Sequence, residues 1–288
     1  MSELANNLVE LLNLETIEHN LFRGWSQDVG SGSVFGGQVV SQALVAATRT
    51  LEDDRLAHSL HSYFLRPGDM KIPIIYEVDR IRDGGSFTTR RVVAIQQGEA
   101  IFSMSCSFQS FEDGLEHQYA EMPDAPDPGD VEPEIAIRRR LAPQIPERFR
   151  ESFTQERAVE IRPVDPVDLL KPEKKSPRKQ AWFRVNGELA DTLSLHQALL
   201  AYASDFGLLG TGMMPHGLSF ASPNVHAASL DHALWFHHPF RVDEWLLYDM
   251  ESPIASNARS FNRGLIYNQQ GLLVASAVQE GLMRVRKK

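Results

Sequence analysis

The chain of 288 residues carries one weak internal duplication, and that constrains its fold more than any single motif, because both copies must build the same unit. Ser62-Tyr-Phe-Leu-Arg-Pro67 reads like Leu234-Trp-Phe-His-His-Pro239, PIIYEVD at 73–79 like WLLYDME at 245–251, and VVAIQQG at 92–98 like LIYNQQG at 265–271. Pro67 and Pro239, Tyr76 and Tyr248, and Gly98 and Gly271 lie 172, 172 and 173 residues apart. Three local matches at one spacing, with a single-residue slip, mark a repeated unit rather than chance likeness between strands.

Each copy has the same order of elements. A helical pattern comes first, over 35–47 in copy one and 195–206 in copy two. Runs rich in Val, Ile, Tyr and Phe follow; in copy one they predict strands over 58–65, 72–82, 87–96 and 99–109. Gln97-Gly98 and Gln270-Gly271 sit where hairpin turns belong, glycine supplying the positive φ such turns need. One helix followed by an antiparallel meander predicts an α+β unit in which a sheet wraps a helix. Residues 111–135 are acidic and hold four prolines, and 163–178 add four more. The expected division is therefore an N-terminal unit at 1–112, a connector at 113–178 packed over the surface, and a C-terminal unit at 179–288. Within the connector, 132–141 reads as a short helix and 159–164 as a strand of copy two. At the N-terminus, Leu4, Leu8, Leu11 and Leu12 recur at helical spacing and predict a short amphipathic helix.

Charge and cysteine content narrow the chemistry. With 29 Lys plus Arg against 38 Asp plus Glu, the net charge is −9, which argues against nucleic acid as a partner. The single cysteine, Cys106, excludes an intramolecular disulfide and a cysteine-based zinc site, and a reducing compartment is its simplest home. The first residues lack the basic-then-apolar order of a signal peptide, and no uncharged apolar run reaches the roughly 18–20 residues that cross a bilayer. No membrane insertion is expected, and the cytoplasm is the expected location.

Several familiar catalytic signatures are missing. Gly84-Gly-Ser-Phe-Thr88 fails the last position of a Gly-x-Ser-x-Gly elbow, and the glycines of 30–37 lack both nucleotide-binding patterns. His232, His237 and His238 cluster in sequence, but no two histidines sit four apart on a helix beside a carboxylate, so no metal is expected.

Specific likeness appears at four places: Val34-Phe-Gly-Gly-Gln-Val-Val40, His61-Ser-Tyr-Phe-Leu-Arg-Pro-Gly-Asp69, Tyr202-Ala-Ser-Asp205 and Val278-Gln-Glu-Gly281. With Asp231-His-Ala-Leu-Trp-Phe-His237, they resemble acyl-CoA thioesterase II, the double hot-dog family of fatty acyl-CoA hydrolases, over nearly the whole chain. The resemblance implies two hot-dog units, each a long helix wrapped by an antiparallel sheet, joined into one continuous sheet. It implies acyl-CoA as substrate, no cofactor, a homo-oligomer (dimer or tetramer), and attack by water without a covalent acyl-enzyme. In that family an Asp, a Thr and a Gln hold and activate the water. The Asp falls on Asp205 and the Gln on Gln279, while the Thr position holds Ser229, a departure that keeps the hydroxyl and loses a methyl.

Residue patterns agree in part. Leu195, Leu199, Tyr202, Ala203 and Phe206 form one apolar stripe, which places Asp205 on the helix flank, near the C-terminal end where the dipole disfavours a negative charge. Alternation along 272–278 puts Leu273, Ala275, Ala277 and Gln279 on one face, small side chains that leave room beside a helix. Copy one lacks the set: the position matching Asp205 is Ala46 or Thr50, according to helix register, and the position matching Gln279 is Cys106. One active site per chain follows, with Cys106 a buried small hydrophobe rather than a nucleophile. Gly36-Gly37 are expected to open the first helix and to permit close backbone approach. Arg90, Arg91, Arg259 and Arg263 are the cations that could meet the CoA phosphates, and none is assigned. Two other readings remain open. A hot-dog enoyl-CoA hydratase would carry Asp-x-Asn-Pro-x-His after its helix, whereas Asp205-Phe-Gly-Leu-Leu-Gly210 lacks the Asn, Pro and His. A non-catalytic acyl-CoA-binding protein would bind without turnover.

Overall fold

In the computed structural model, residues 2–30, 32–52 and 55–286 are described, and both halves of the chain follow the repeated order. The first half opens on helix α1 (Glu3–Leu12) and a short hairpin of β1 (Glu15–Glu18) and β2 (Leu21–Gly24). Helix α2 (Gly36–Thr48) leads into β3 (Leu56–Phe64), β4 (Ile74–Asp83), β5 (Phe87–Gln96) and β6 (Glu99–Gln109). The proline-rich stretch carries α3 (Glu134–Leu141) and a helix the sequence did not signal, α4 (Glu147–Thr154). The second half comprises β7 (Val159–Pro163), β8 (Arg178–Val185), α5 (Leu193–Ala203), the single turn α6 (Leu208–Thr211), β9 (Val225–Ser229) and β10 (Asp231–Phe236). It closes with β11 (Leu246–Ser256), β12 (Arg259–Asn268) and β13 (Leu273–Val285).

All pairings among the described strands are antiparallel, and they form one sheet in the order β1-β2-β4-β5-β6-β3-β10-β13-β12-β11-β8-β7, with β9 added to β13. Hairpin chemistry sets part of this. Gln97 (φ 51) and Gly98 (φ 79) form a two-residue turn with both φ positive, which matches the twist of the strands it joins. The halves meet where β3 pairs with β10, and His61 faces Ala233 there. Ala233 is the residue 172 beyond His61, the offset of the duplication, so a local two-fold axis passes through that pair.

The helices α2 and α5 run antiparallel beneath this junction. The Ser41 hydroxyl donates to Ala198 O at 2.6 Å, and a Cβ on Gly37 would lie 2.3 Å from Tyr202 O. The expected apolar stripe on α5 understates its burial: every residue from His196 to Ala203 is buried. One side of the helix lies on its sheet and another on α2, so an amphipathic pattern has no solvent to face. Buried polar side chains are spent on backbone groups, as such groups must be. Gln197 pairs with both the N–H and the carbonyl of Ala57, where β3 shifts register. Gln42 donates to Leu11 O and Trp25 O, tying α2 to the segments before it. Among the described residues no helix is long and apolar enough to cross a membrane.

Candidate active site

Asp205 lies just past the end of α5 rather than on its flank. The helix stops at Ala203, Ser204 caps it, and Gly207 (φ +82) turns the chain into α6. The Phe206 ring folds back to stack on Phe35 at 4.5 Å, while Tyr202 meets Phe35 edge-on at 5.1 Å. This aromatic trio clamps the end of α5 against the start of α2. Both carboxylate oxygens are held: Oδ2 accepts from Gly37 N at 2.9 Å and Oδ1 accepts from Gln279 Nε2 at 2.6 Å. A Cβ on Gly36 would stand 2.8 Å from Asp205 Oδ2, so the two glycines let the backbone of one half reach the carboxylate of the other.

Gln279 sits at the centre of β13, opposite Asn262 of β12 and one residue beyond the Ala233–Val278 pair with β10. Ala275, Ala277 and Gln279 are buried as their alternation predicts, and Gln279 is 0% exposed. Its Nε2 also lies 3.3 Å from Nδ1 of His232, and its Oε1 is buried with no partner among the described residues. The His232 ring, 0% exposed, continues to Ser204 with Nε2 at 2.8 Å from the hydroxyl oxygen. Ser204 in turn donates to Ala201 O at 3.0 Å, and the Tyr248 hydroxyl donates to Ser204 O at 3.1 Å. Burial lowers the pKa of His232, opposed by the carboxylates of Asp205 and Asp231. Asn262 donates from Nδ2 to Ser260 O and to Gln279 O, both at 3.2 Å, which locks the register of the two strands under the amide.

Ser229, at the end of β9, pairs with Gly281 of β13. Gly281 lies two residues beyond Gln279 on the same face, since a Cβ there would strike Leu209 of α6 at 2.1 Å. Residues directly opposite share a face, so Ser229 is diagonal to Gln279 on the side that faces the helices. Its hydroxyl makes no hydrogen bond with another described residue. Asp205 and Gln279 are thus in direct contact, and Ser229 lies beside them only by its place on the sheet, opposite Gly281.

The equivalent place in the first half is built differently. Cys106 is flanked by Leu60 of β3 and Arg90 of β5, as Gln279 is flanked by His232 and Asn262. Of the two helix registers the structure takes the one that gives Thr50, whose hydroxyl and carbonyl oxygens accept from Arg90 Nε at 2.8 Å and Nη2 at 3.3 Å. Burial pushes the Cys106 thiol far up, against the pull of Arg90, so a thiolate is suppressed there. Arg90 is 1% exposed and reaches Asp83, which removes it from the surface cations. Arg91, Arg259 and Arg263 are each paired with a carboxylate, of Asp79, Glu280 and Glu251. His237 bonds Ser276 on the exposed side, away from His232, and among the described residues no group of three His, Cys, Asp or Glu side chains could hold a metal ion. No local pattern marks His232 as a neighbour of Gln279. The glycine pair was legible as a close approach, but not as a donor to Asp205.

Comparison with known proteins converges on one family. The profile described as acyl-CoA thioesterase matches residues 149–282, and that of the acyl-CoA thioesterase N-terminal domain matches residues 22–109. The chain is 42% identical to acyl-CoA thioesterase 2 of Haemophilus influenzae over 99% of both chains. It is 39% identical to human acyl-coenzyme A thioesterase 8, over 96% of this chain and 88% of that protein. Among solved structures, an acyl-CoA thioesterase II from Mycobacterium marinum superposes with a TM-score of 0.79 at 43% identity, covering 97% of this chain and 99% of the other. A hot dog fold protein from Alicyclobacillus acidocaldarius, at 18% identity and TM-score 0.78, shares the architecture over 98% and 99%. On the duplicated sheet, the paired helices and these likenesses, the chain is a tandem hot-dog protein and belongs to the acyl-CoA thioesterase family.

Proposed function

We propose that this thioester hydrolase cleaves fatty acyl-CoA to free acid and CoA by direct attack of a water molecule that Asp205 activates. The observation that carries the mechanism is the way Asp205 is held: a carboxylate fixed through both oxygens, beside an amide oxygen of Gln279 that is buried and unpartnered. A water at this place donates one hydrogen to Asp205 and the other to Gln279 Oε1, which turns its lone pair toward the thioester carbon. One hydrogen of the Gln279 amide faces the Asp205 carboxylate and the other lies toward Nδ1 of His232, so with that nitrogen bare the free valence of the amide is an acceptor for water rather than a donor to the oxyanion. The hydroxyl of Ser229 is the uncommitted donor on the same face. As the water oxygen bonds to carbon, its proton passes to Asp205. The C–S bond then breaks, and the CoA sulfur leaves with that proton. General base catalysis of this kind contributes about 10²–10⁴ in rate.

No acyl-enzyme is required, and Cys106, buried in the other half, takes no part. In the same reading the chain works in the cytoplasm as a homo-oligomer, dimer or tetramer. The exposed Phe111, Leu115 and Tyr119 of the segment after β6 are apolar surface that association would cover. The test is release of free thiol from palmitoyl-CoA, followed with a thiol dye. Wild-type protein and Cys106→Ser release thiol at similar rates, while Asp205→Asn falls by roughly 10²–10⁴. An acid-quenched reaction weighed as intact protein shows no added acyl mass; an adduct of one acyl group would overturn the water mechanism. A hydratase would hydrate an enoyl-CoA without releasing thiol, and a binding protein would release none.

A further inference from the structure

We propose that His232 is a positioning residue for the reaction, whose bare Nδ1 fixes the orientation of the Gln279 amide and so presents Gln279 Oε1 to the attacking water. The proposal rests on the reading of Asp205 and Gln279 as the pair that handles water. An amide can face its neighbours in two ways, and the neighbours choose. On one side Asp205 Oδ1 stands at 2.6 Å; an ionised carboxylate only accepts, so Nε2 must face it. On the other side Nε2 lies 3.3 Å from His232 Nδ1, a contact that is favourable only if this ring nitrogen carries no proton.

The proton order is set from the backbone outward. Ala201 O accepts only, so the Ser204 hydroxyl spends its hydrogen there, at 3.0 Å. Ser204 Oγ is then left to accept from His232 Nε2, at 2.8 Å. A neutral imidazole protonated at Nε2 is bare at Nδ1 and accepts the second amide hydrogen of Gln279. Every donor in this relay from Ser204 to Asp205 meets an acceptor, and one atom of the relay remains over, the buried Gln279 Oε1. A His232 protonated at Nδ1 would set donor against donor and favour the flipped amide, whose Oε1 would face the Asp205 carboxylate. The first half supplies the contrast: where Gln279 is replaced by Cys106, the strand position of His232 holds Leu60, so the imidazole occurs only in the half that has an amide to orient.

Two substitutions separate this role from simple packing. His232→Asn places its carboxamide oxygen where Nδ1 stood and can still accept from Gln279, while losing Ser204. His232→Gln reaches toward Ser204 and leaves Gln279 without its acceptor. The expected result is a kcat for His232→Asn within about threefold of wild type and a kcat for His232→Gln lower by roughly 10- to 100-fold, with KM little changed in both, since only the orientation of the attacking water is altered. A role confined to bracing the helix end predicts the opposite order, and His232→Gln as fast as or faster than His232→Asn would overturn the proposal. If either variant does not fold, NMR of isotope-labelled histidine in the wild-type protein decides: a proton on Nε2 supports the proposal and a proton on Nδ1 sinks it. An Asp205→Asn protein at wild-type speed would remove the catalytic pair itself. A fast His232→Gln beside a slow Asp205→Asn would remove only the role of His232.

Discussion

Replacing Gly37 by alanine tests whether the site depends on the contact between the two halves. The added Cβ would lie 2.3 Å from Tyr202 O and 2.6 Å from an atom of the Phe35 ring. Ordinary contact needs about 3.4 Å, and a carbonyl fixed in a helix cannot swing aside, so α2 and α5 must part by about 1 Å. Overpacking of this size costs about 1–3 kcal/mol, but alanine inside a helix recovers about 0.5–1 kcal/mol over glycine, so the net loss of stability is about 2.5 kcal/mol at most. Activity has no such compensation. The Gly37 N to Asp205 Oδ2 bond of 2.9 Å stretches toward about 3.9 Å, beyond hydrogen-bond range, and the carboxylate loses one of its two fixed partners. Misplacement on this scale costs about 10² in rate. Thiol release and a urea denaturation midpoint, measured on the same preparation, should therefore diverge: turnover down by about a hundredfold, the midpoint only slightly lower. Gly114→Ala, where nothing lies within 4 Å of the new Cβ, is the control for both. A Gly37→Ala protein that keeps wild-type turnover would show that the carboxylate does not rely on this donor, and the cross-half site would be refuted.

Ser229→Ala should lower kcat more than it raises KM, and Ser229→Thr should be tolerated because it keeps the hydroxyl and fixes its rotamer more firmly; unchanged kcat in Ser229→Ala would reduce the site to two residues. Acid should weaken the fold before the carboxylates titrate. Burial lowers the pKa of His58, His196, His232 and His237 below the ordinary 6.5, so below that value the unfolded chain binds protons that the folded chain refuses. The stability they contribute is whole above the unfolded pKa and is lost as pH falls toward the lowered folded values. The urea midpoint should drop between about pH 7 and about pH 5.5, and a flat midpoint across that window would contradict the linkage.

Local signals were readable and contacts between distant elements were not. Strands β5 and β6 begin and end where the sequence predicts, because the positive-φ demand of Gln97-Gly98 fixes the turn and alternation fixes the faces. The burial of α5 exceeds its pattern because the covering partner, α2, lies some 160 residues earlier in the chain. Helix α4 escaped notice for a different reason: its apolar period is a single pair, Phe149 and Phe153, on a helix of eight residues that buries none of them. Asp205 and Gln279 were legible through family likeness, yet their hydrogen bond depends on where α5 stops, one turn short of the pattern that suggested 206. His232 was invisible as a neighbour of Gln279 because its place follows from β10 lying beside β13, a pairing no local pattern specifies.

The two-fold axis through His61 and Ala233 also bears on how such a chain can change over time. In a symmetric pair of identical halves every substitution is made twice, so a carboxylate lost from one helix end is lost from both. Joining the halves in one polypeptide lifts that restriction. One helix end here holds Asp205 and borrows an N–H from 168 residues away, while the other holds Thr50 and a buried Arg90. The arginine ties the helix end to its sheet and to Asp83, a brace made from what would otherwise be a second reaction centre. Descendants of this chain are thus free to stiffen, widen or reshape the first half without passing the same alteration to the half that carries the proposed reaction centre.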